Sequence, residues 1–218
     1  MSTVMPLRVT CSVCGKETEF SALASTNSFG APDLDLRPAP MRRHTMEYWV
    51  QECPECGFVA THIDQPLGCD RSVLESEAYR TCDGITFRHD LAARFYRQYV
   101  ISRARNKPEL CFYSALHAAW VCDDCGDKEN AVTCRKIAAD MAYTLLLSSE
   151  EERPEDLILQ RADLLRRAGE FDAAIKVLDG FTSQHEAHRT VAAFQIEKCR
   201  AGDTQRYTVL QATNPLFQ

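Results

Sequence analysis

The sequence predicts an α+β chain that is mostly α: a small β segment at the N-terminus followed by an antiparallel array of helical hairpins. Three observations carry this. Short β-branched or aromatic stretches occur in the N-terminal third, near Val9 and Trp49. From Phe87 onward the apolar residues recur at helical spacing. Two Cys-x-x-Cys-Gly sequences, Cys11–Gly15 and Cys53–Gly57, bracket the β-rich stretch with 38 residues between their cysteine pairs.

Four cysteines in two matched knuckles suit one tetrahedral zinc ion, because thiolates are its preferred soft ligands. Residues 1–64 are therefore read as a zinc ribbon with a long inserted loop, with Cys11, Cys14, Cys53 and Cys56 as ligands of a single structural Zn2+. A closed four-ligand site leaves no position for water, so its expected role is folding, not catalysis. Leu7–Cys11 and Glu17–Ser25 are expected as strands entering and leaving the first knuckle, and Glu47–Glu52 and Phe58–Thr61 as strands flanking the second. Gly15 and Gly57 supply the positive φ that a knuckle needs.

A compact ribbon has roughly 15–20 residues between its cysteine pairs. The surplus here, residues 27–44, contains three prolines and one glycine and is expected to lack regular structure. It mixes Asp33 and Asp35 with Arg37, Arg42, Arg43 and His44, around Leu34, Leu36 and Met41. The reading adopted is an ordered loop whose leucines plug the ribbon and whose charges pair with the helices. The other reading makes those six charged residues a binding loop for a partner or an anion.

Residues 65–107 connect the ribbon to the helices. Asp70 is expected to cap a short helix over Arg71–Arg80, and a longer helix is expected from about Phe87 to Arg105, burying Phe87, Leu91, Phe95 and Tyr99. The stretch 88–107 carries six basic groups against Asp90 alone. It is a solvated face, or a nucleic-acid surface with interleaved aromatics.

Residues 108–218 read as the helical array. Pro108 opens one helix, whose apolar face carries Leu110, Tyr113, Leu116, His117, Trp120 and Val121, with His117 as a core histidine. A helix from about Lys128 to Leu147 follows. Between them lies a third pair, Cys122 and Cys125, flanked by Asp123, Asp124 and Asp127. Carboxylates and the helix C-terminal dipole disfavour a thiolate there. Packing thiols are expected, with a second metal site, alongside Cys134 or His117, or a redox pair as alternatives. Arg161–Leu178 has the small and large spacing of a tetratricopeptide helix pair, with Gly169 ending its first helix. Glu186–Arg200 is a further helix, and Asp203 is expected to cap a last one ending before Pro215.

The order of parts resembles an uncharacterised bacterial family, a domain of unknown function combining a zinc-ribbon-like segment with tetratricopeptide-like helices. The residues that carry the match are Cys11–Cys14, Pro32–Arg37, Trp49, Cys53–Phe58 and Gly169–Ala174. The resemblance covers nearly the whole chain and implies no settled activity. Cys122 and Cys125 lie outside its pattern.

Composition bounds the function classes. The chain has 218 residues, 45% hydrophobic and 26% charged, with a net charge of −6 that lies entirely in residues 108–218. That half is a poor surface for nucleic acid. No basic start with an apolar run and no stretch approaching about 18 apolar residues is present, so neither a signal peptide nor a membrane span is expected, and a cytoplasmic location is. The odd count of 11 cysteines then suits metal ligands and free thiols better than a disulfide framework. No Ser/His/Asp set, phosphate loop or open metal site is recognisable, so enzyme activity is not expected. The expected partner is another protein or a peptide held in the helical groove. Nucleic acid bound by the basic 88–107 stretch and thiol redox sensing are the alternatives.

Overall fold

The computed structural model describes residues 2–148, 154–214 and 216. The chain is mostly helical, with a small antiparallel β-hairpin at its N-terminus and a helical array after it. The hairpin is β1 (Thr3–Thr10) paired with β2 (Glu17–Ser25), in a register that sets Leu7 opposite Phe20 and Val9 opposite Thr18. Only Val9 of β1 is buried, so the hairpin enters the core at its knuckle end and is exposed elsewhere.

The second knuckle is flanked by the minimal strands β3 (Gln51–Glu52) and β4 (Val59–Ala60). Residues 47–52 were expected to be extended throughout. Instead Arg42–Tyr48 winds into a 3-10 helix that also takes in the end of the proline-rich loop. Side chains hold that turn: Thr45 donates to the Arg42 carbonyl, Trp49 Nε1–H to Thr45 Oγ1, and Arg43 Nε–H to the Pro38 carbonyl. These local bonds compete with a ladder and win.

The expected helix over 71–80 is split. A 3-10 turn, Arg71–Glu75, is capped by Asp70 as expected, and a single α-turn, α1 (Glu77–Arg80), follows. Ser76 sits between them and serves both, donating to the Val73 carbonyl and accepting from Tyr79 N–H. The long helix α2 (Asp90–Ala104) starts three residues later than expected, because His89 Nδ1 accepts from Leu91 N–H as an N-cap. Leu91, Phe95 and Tyr99 are buried as the spacing implies, while Phe87 packs half-buried ahead of the helix.

Next come α3 (Pro108–Asp124) and α4 (Lys128–Ser148), joined by a turn closed by Asp127 N–H on the Cys122 carbonyl. Ala115, Ala118 and Ala119 of α3, with Ala131, Ala138, Ala139 and Ala142 of α4, are all buried. Such small residues let two helix backbones approach closely. The apolar face expected on α3 is only half covered. Leu116, Trp120 and Val121 are buried, but Leu110 and Tyr113 at the start of the helix are 41% and 44% exposed.

Helices α5 (Glu155–Arg167) and α6 (Phe171–Leu178) pack together across a turn at Gly169, whose φ of 80° only glycine adopts without cost. Then come α7 (Glu186–Arg200) and α8 (Val209–Thr213). The cap of α8 is Thr208, in a capping box with Gln211, and not Asp203. Asp203 instead lies beside Arg166, which donates to its carbonyl, and accepts from Tyr207 Oη. Pro215 lies outside the described residues.

One contiguous core runs from Val9, Phe58 and Ile63 of the ribbon through α2–α4 to Leu164, Ala174 and Cys199. A second, smaller cluster gathers Leu159, Leu178, Val191 and Phe194 around Leu34 from the N-terminal loop. Among the described residues no helix is long and apolar enough to cross a membrane.

Candidate functional site

The two knuckles fold alike. In each, the first cysteine donates its N–H to the carbonyl five residues on, Cys11 to Lys16 and Cys53 to Phe58, and accepts from the glycine four residues on. Gly15 and Gly57 have φ of 74° and 70°, which a side chain would strain. The turns bring Cys11, Cys14, Cys53 and Cys56 together, with all four sulfurs within 4.8 Å of one another. Cys11 and Cys56 are 3.7 Å apart and Cys14 and Cys53 3.5 Å. A tetrahedral zinc with bonds of about 2.3 Å sets sulfurs about 3.8 Å apart, so the donor set fits such an ion. The four cysteines can therefore hold a metal ion.

The cluster is tied into the molecule behind it. Ser12 donates its N–H to the Ile63 carbonyl and its hydroxyl to Gln65. Tyr79 of α1 donates its hydroxyl to the Gly57 carbonyl (2.6 Å) and accepts from Val59 N–H (3.0 Å), pinning the second knuckle from outside. Nothing in the sequence marks Tyr79 for this, because its partners lie 20 and 22 residues away in an irregular segment.

The loop between the knuckles is a buried strap. Asp33, Asp35, Arg37 and Arg43 are each less than a tenth exposed, whereas Arg42 and His44 are exposed. Arg43 pairs with Asp33 at 2.8 Å within the loop. Arg37 makes a two-pronged pair with Asp124 at the end of α3. Asp35 accepts from Trp120 Nε1–H of α3 and from Arg167 of α5, both at 2.8 Å. Arg167 also reaches Asp123, which Arg135 of α4 shares. Burial works against the ionised Asp35, but Arg167 and Arg135 outweigh it and hold the carboxyl below its usual range. Burial raises Asp33, with Arg43 opposing it.

Asp35 and Arg37 thus pair with the helices, Asp33 and Arg43 with each other, and Arg42 and His44 face solvent. The leucines do not plug the ribbon. Leu34 is 3% exposed within the α5–α7 cluster, where Leu34 N–H donates to the Tyr207 carbonyl and Val209 N–H to that of Pro32. Leu36 is 40% exposed. The reason is the tight turn at residues 33–37, which sends successive side chains in different directions.

Cys122 and Cys125 are not brought together with a third ligand. Among the described residues the Cys11, Cys14, Cys53 and Cys56 group is the only one of three or more donors in metal-binding reach. Cys122 is buried, and a hydrogen bond with Cys134 together with burial pushes its thiol up. Cys125 donates to the Cys122 carbonyl instead. His117 is ringed by aromatic side chains.

In the basic stretch, Arg94 and Arg97 both pair with Glu52 of the ribbon and with Asp90, and Arg88 pairs with Asp127. Carboxylates distant in sequence therefore neutralise half of that face.

No family model matches the chain, and no curated protein or solved structure matches it either. The resemblance described above rests on its quoted motifs.

Proposed function

We propose that the chain is a zinc-stabilised scaffold that binds another protein or a peptide on its helical array. In this reading Cys11, Cys14, Cys53 and Cys56 hold one structural zinc, and the Arg161–Leu178 hairpin is a tetratricopeptide-like unit flanked by α3–α4 and α7–α8. The zinc supplies four strong thiolate bonds that close the ribbon, and with it the strap that runs to α5 and α7.

The observation that carries the reading is the open end of the α3–α4 hairpin. Leu110 and Tyr113 begin α3, and Tyr143 and Leu147 end α4, and these four are 41%, 44%, 49% and 68% exposed. A short turn joins the two helices and they pack along their length, so the start of one and the end of the other lie at the same end. Large apolar side chains exposed at one end of a hairpin suit a surface that another molecule covers.

A photo-crosslinking amino acid at position 147, in the zinc-loaded chain in extracts of its native cell, tests this. A discrete protein adduct from position 147, absent when the label sits at exposed Glu197 of α7, is the expected result. No adduct at 147, or the same adducts from both positions, would overturn the scaffold reading. Native mass spectrometry is expected to show one zinc per chain; a bare or iron-loaded chain would refute the metal assignment.

A further inference from the structure

Between the strap and α3 lies a cavity of about 460 Å3 that neither the zinc nor a docked protein explains. Its volume falls within the roughly 300–1,000 Å3 of small-molecule sites. Its walls are Trp49, Leu116, His117 and Trp120, with Leu36 and Tyr113 at its mouth. The His117 ring lies 5.1 Å from Trp49, 5.0 Å from Trp120 and 6.2 Å from Tyr113, centroid to centroid. Phe95 of α2 backs it at 5.1 Å. These are planar, polarisable faces that suit a flat ring.

The polar groups of the cavity divide into spent and free. Asp35 is the only carboxylate in its lining, and both oxygens are taken: Oδ1 by the Arg37 N–H, Oδ2 by Trp120 and Arg167. Gln160 Nε2 donates to the Asp35 carbonyl. His117 is half-buried among Trp49, Phe95 and Trp120, and among the described residues its imidazole has no hydrogen-bond partner. A ring nitrogen facing the cavity is free to pair with a bound group. Burial, with Arg37 adding to it, holds its pKa down at about 3, so the ring is neutral and offers one donor and one acceptor. Arg42 lines the same cavity, is exposed, and has no carboxylate partner among the described residues. The free groups are thus an imidazole inside and a guanidinium at the rim, which select against a cation and for an anion.

The backbone at the mouth is strained. Leu36 has φ of 61°, a conformation costing a side-chain-bearing residue about 1–2 kcal/mol. The turn that imposes it is closed by Leu36 N–H on the Asp33 carbonyl and Asp33 N–H on that of Arg37. Its consequence is an exposed leucine at the entrance. Strain of this kind gathers at ligand clamps.

We propose that this cavity binds a small planar aromatic anion, its ring held among Trp49, His117 and Trp120 and its negative group held by Arg42. The site shares Tyr113 with the scaffold surface but takes a small molecule and not a protein, so the two proposals stand or fall separately.

The chain has two tryptophans, and both line the cavity. Their indole N–H resonances in the 15N-labelled, zinc-loaded chain therefore report on it alone, and 2-naphthoate is the probe. Both signals are expected to move saturably, with a Kd below about 1 mM. 2-Naphthalenemethanol, the ring without the charge, and cyclohexanecarboxylate, the charge without the flat ring, are each expected to bind at least about tenfold more weakly. Arg42→Gln, at an exposed position, is expected to fold normally by circular dichroism and to abolish the preference for naphthoate over the alcohol. Indole signals that do not move with naphthoate, or an Arg42→Gln chain that binds it as tightly as the parent, would overturn the proposal.

Discussion

Asp35 shows at the residue scale how the strap is held. It is fully buried, and its carboxylate neutralises Arg167 together with Asp123. A buried ion pair adds little net stability, yet removing one partner strands the other and costs about 3–5 kcal/mol. Asp35→Asn is therefore expected to lower the urea unfolding midpoint by the equivalent of about 3 kcal/mol. Adding Arg167→Gln should cost less than the two single losses summed, since the pair is removed as a unit. Strictly additive losses would show that the two residues do not act together. The charges of this pair were legible in the sequence but their pairing was not, because Arg167 lies 132 residues from Asp35 and no local pattern encodes such a distance. His117 gives a second test. Its pKa is about 3 in the folded chain against an ordinary 6.5, so between those values the unfolded chain takes up a proton that the folded chain refuses. Stability must then fall as pH drops below about 6.5, by up to about 1.4 kcal/mol per unit. Asp35, held low, acts only below its usual range, but burial raises Asp33 and Asp163, so between about pH 6.5 and about 4.5 it is the difference between the parent and a chain lacking the imidazole that isolates the histidine. Across that window, stability should fall more steeply with falling pH in the parent than in His117→Leu; equal slopes would refute the assignment.

Among the elements, those bounded by backbone chemistry were legible in advance. Pro108 starts α3 and Gly169 ends α5, because proline fixes φ at a helix start and glycine alone adopts the left-handed turn at its end. Of the boundaries set by side-chain caps Asp70 was legible, but His89, Ser76 and Thr208 begin elements through hydrogen bonds whose geometry the sequence does not specify. The proline-rich stretch is the instructive case. Its composition forbids a ladder with the ribbon, and that is correct, but it does not forbid single bridges to other segments. Asp33 pairs with Thr208, and Ser28 with Met41. Two leucines that look equivalent in the sequence consequently differ. Leu34 is buried among α5, α7 and α8, so Leu34→Ala is expected to cost about 2–5 kcal/mol. Leu36 is exposed with φ of 61°, which glycine accepts freely, so Leu36→Gly is expected to change stability by less than about 1 kcal/mol. Thermal melts of the two variants decide it; a larger loss from Leu36→Gly would mean that the strap is seated otherwise.

Across the whole molecule, the ribbon and the helices share one apolar core, and the strap adds ionic and backbone ties from the ribbon to α3, α5 and the segment before α8. The four-cysteine cluster was legible because its spacing is local and its chemistry specific. The shared core was not, since it is assembled from residues as distant as Val9 and Cys199. This continuity has a thermodynamic consequence. If zinc were needed only by an independent ribbon, chelation would melt the hairpin and leave the helices unaffected. Here Tyr79 connects the second knuckle to α1, Glu52 connects β3 to Arg94 and Arg97 of α2, and Phe58, Val59 and Ile63 sit in the core that α2 and α3 complete. A metal that binds the folded chain stabilises it by mass action, so removing the ion held by the four cysteines, zinc in the proposed reading, should lower the stability of the entire cooperative unit. Calorimetry is expected to show one transition that moves to lower temperature on chelation and returns when zinc is restored, with helical circular dichroism lost in the same step. Tyr79→Phe, which leaves the Val59 N–H and Gly57 carbonyl without their partner, should cost about 1–3 kcal/mol and speed zinc loss to a competing chelator. A helical melt indifferent to zinc would show instead that ribbon and array fold as separate units.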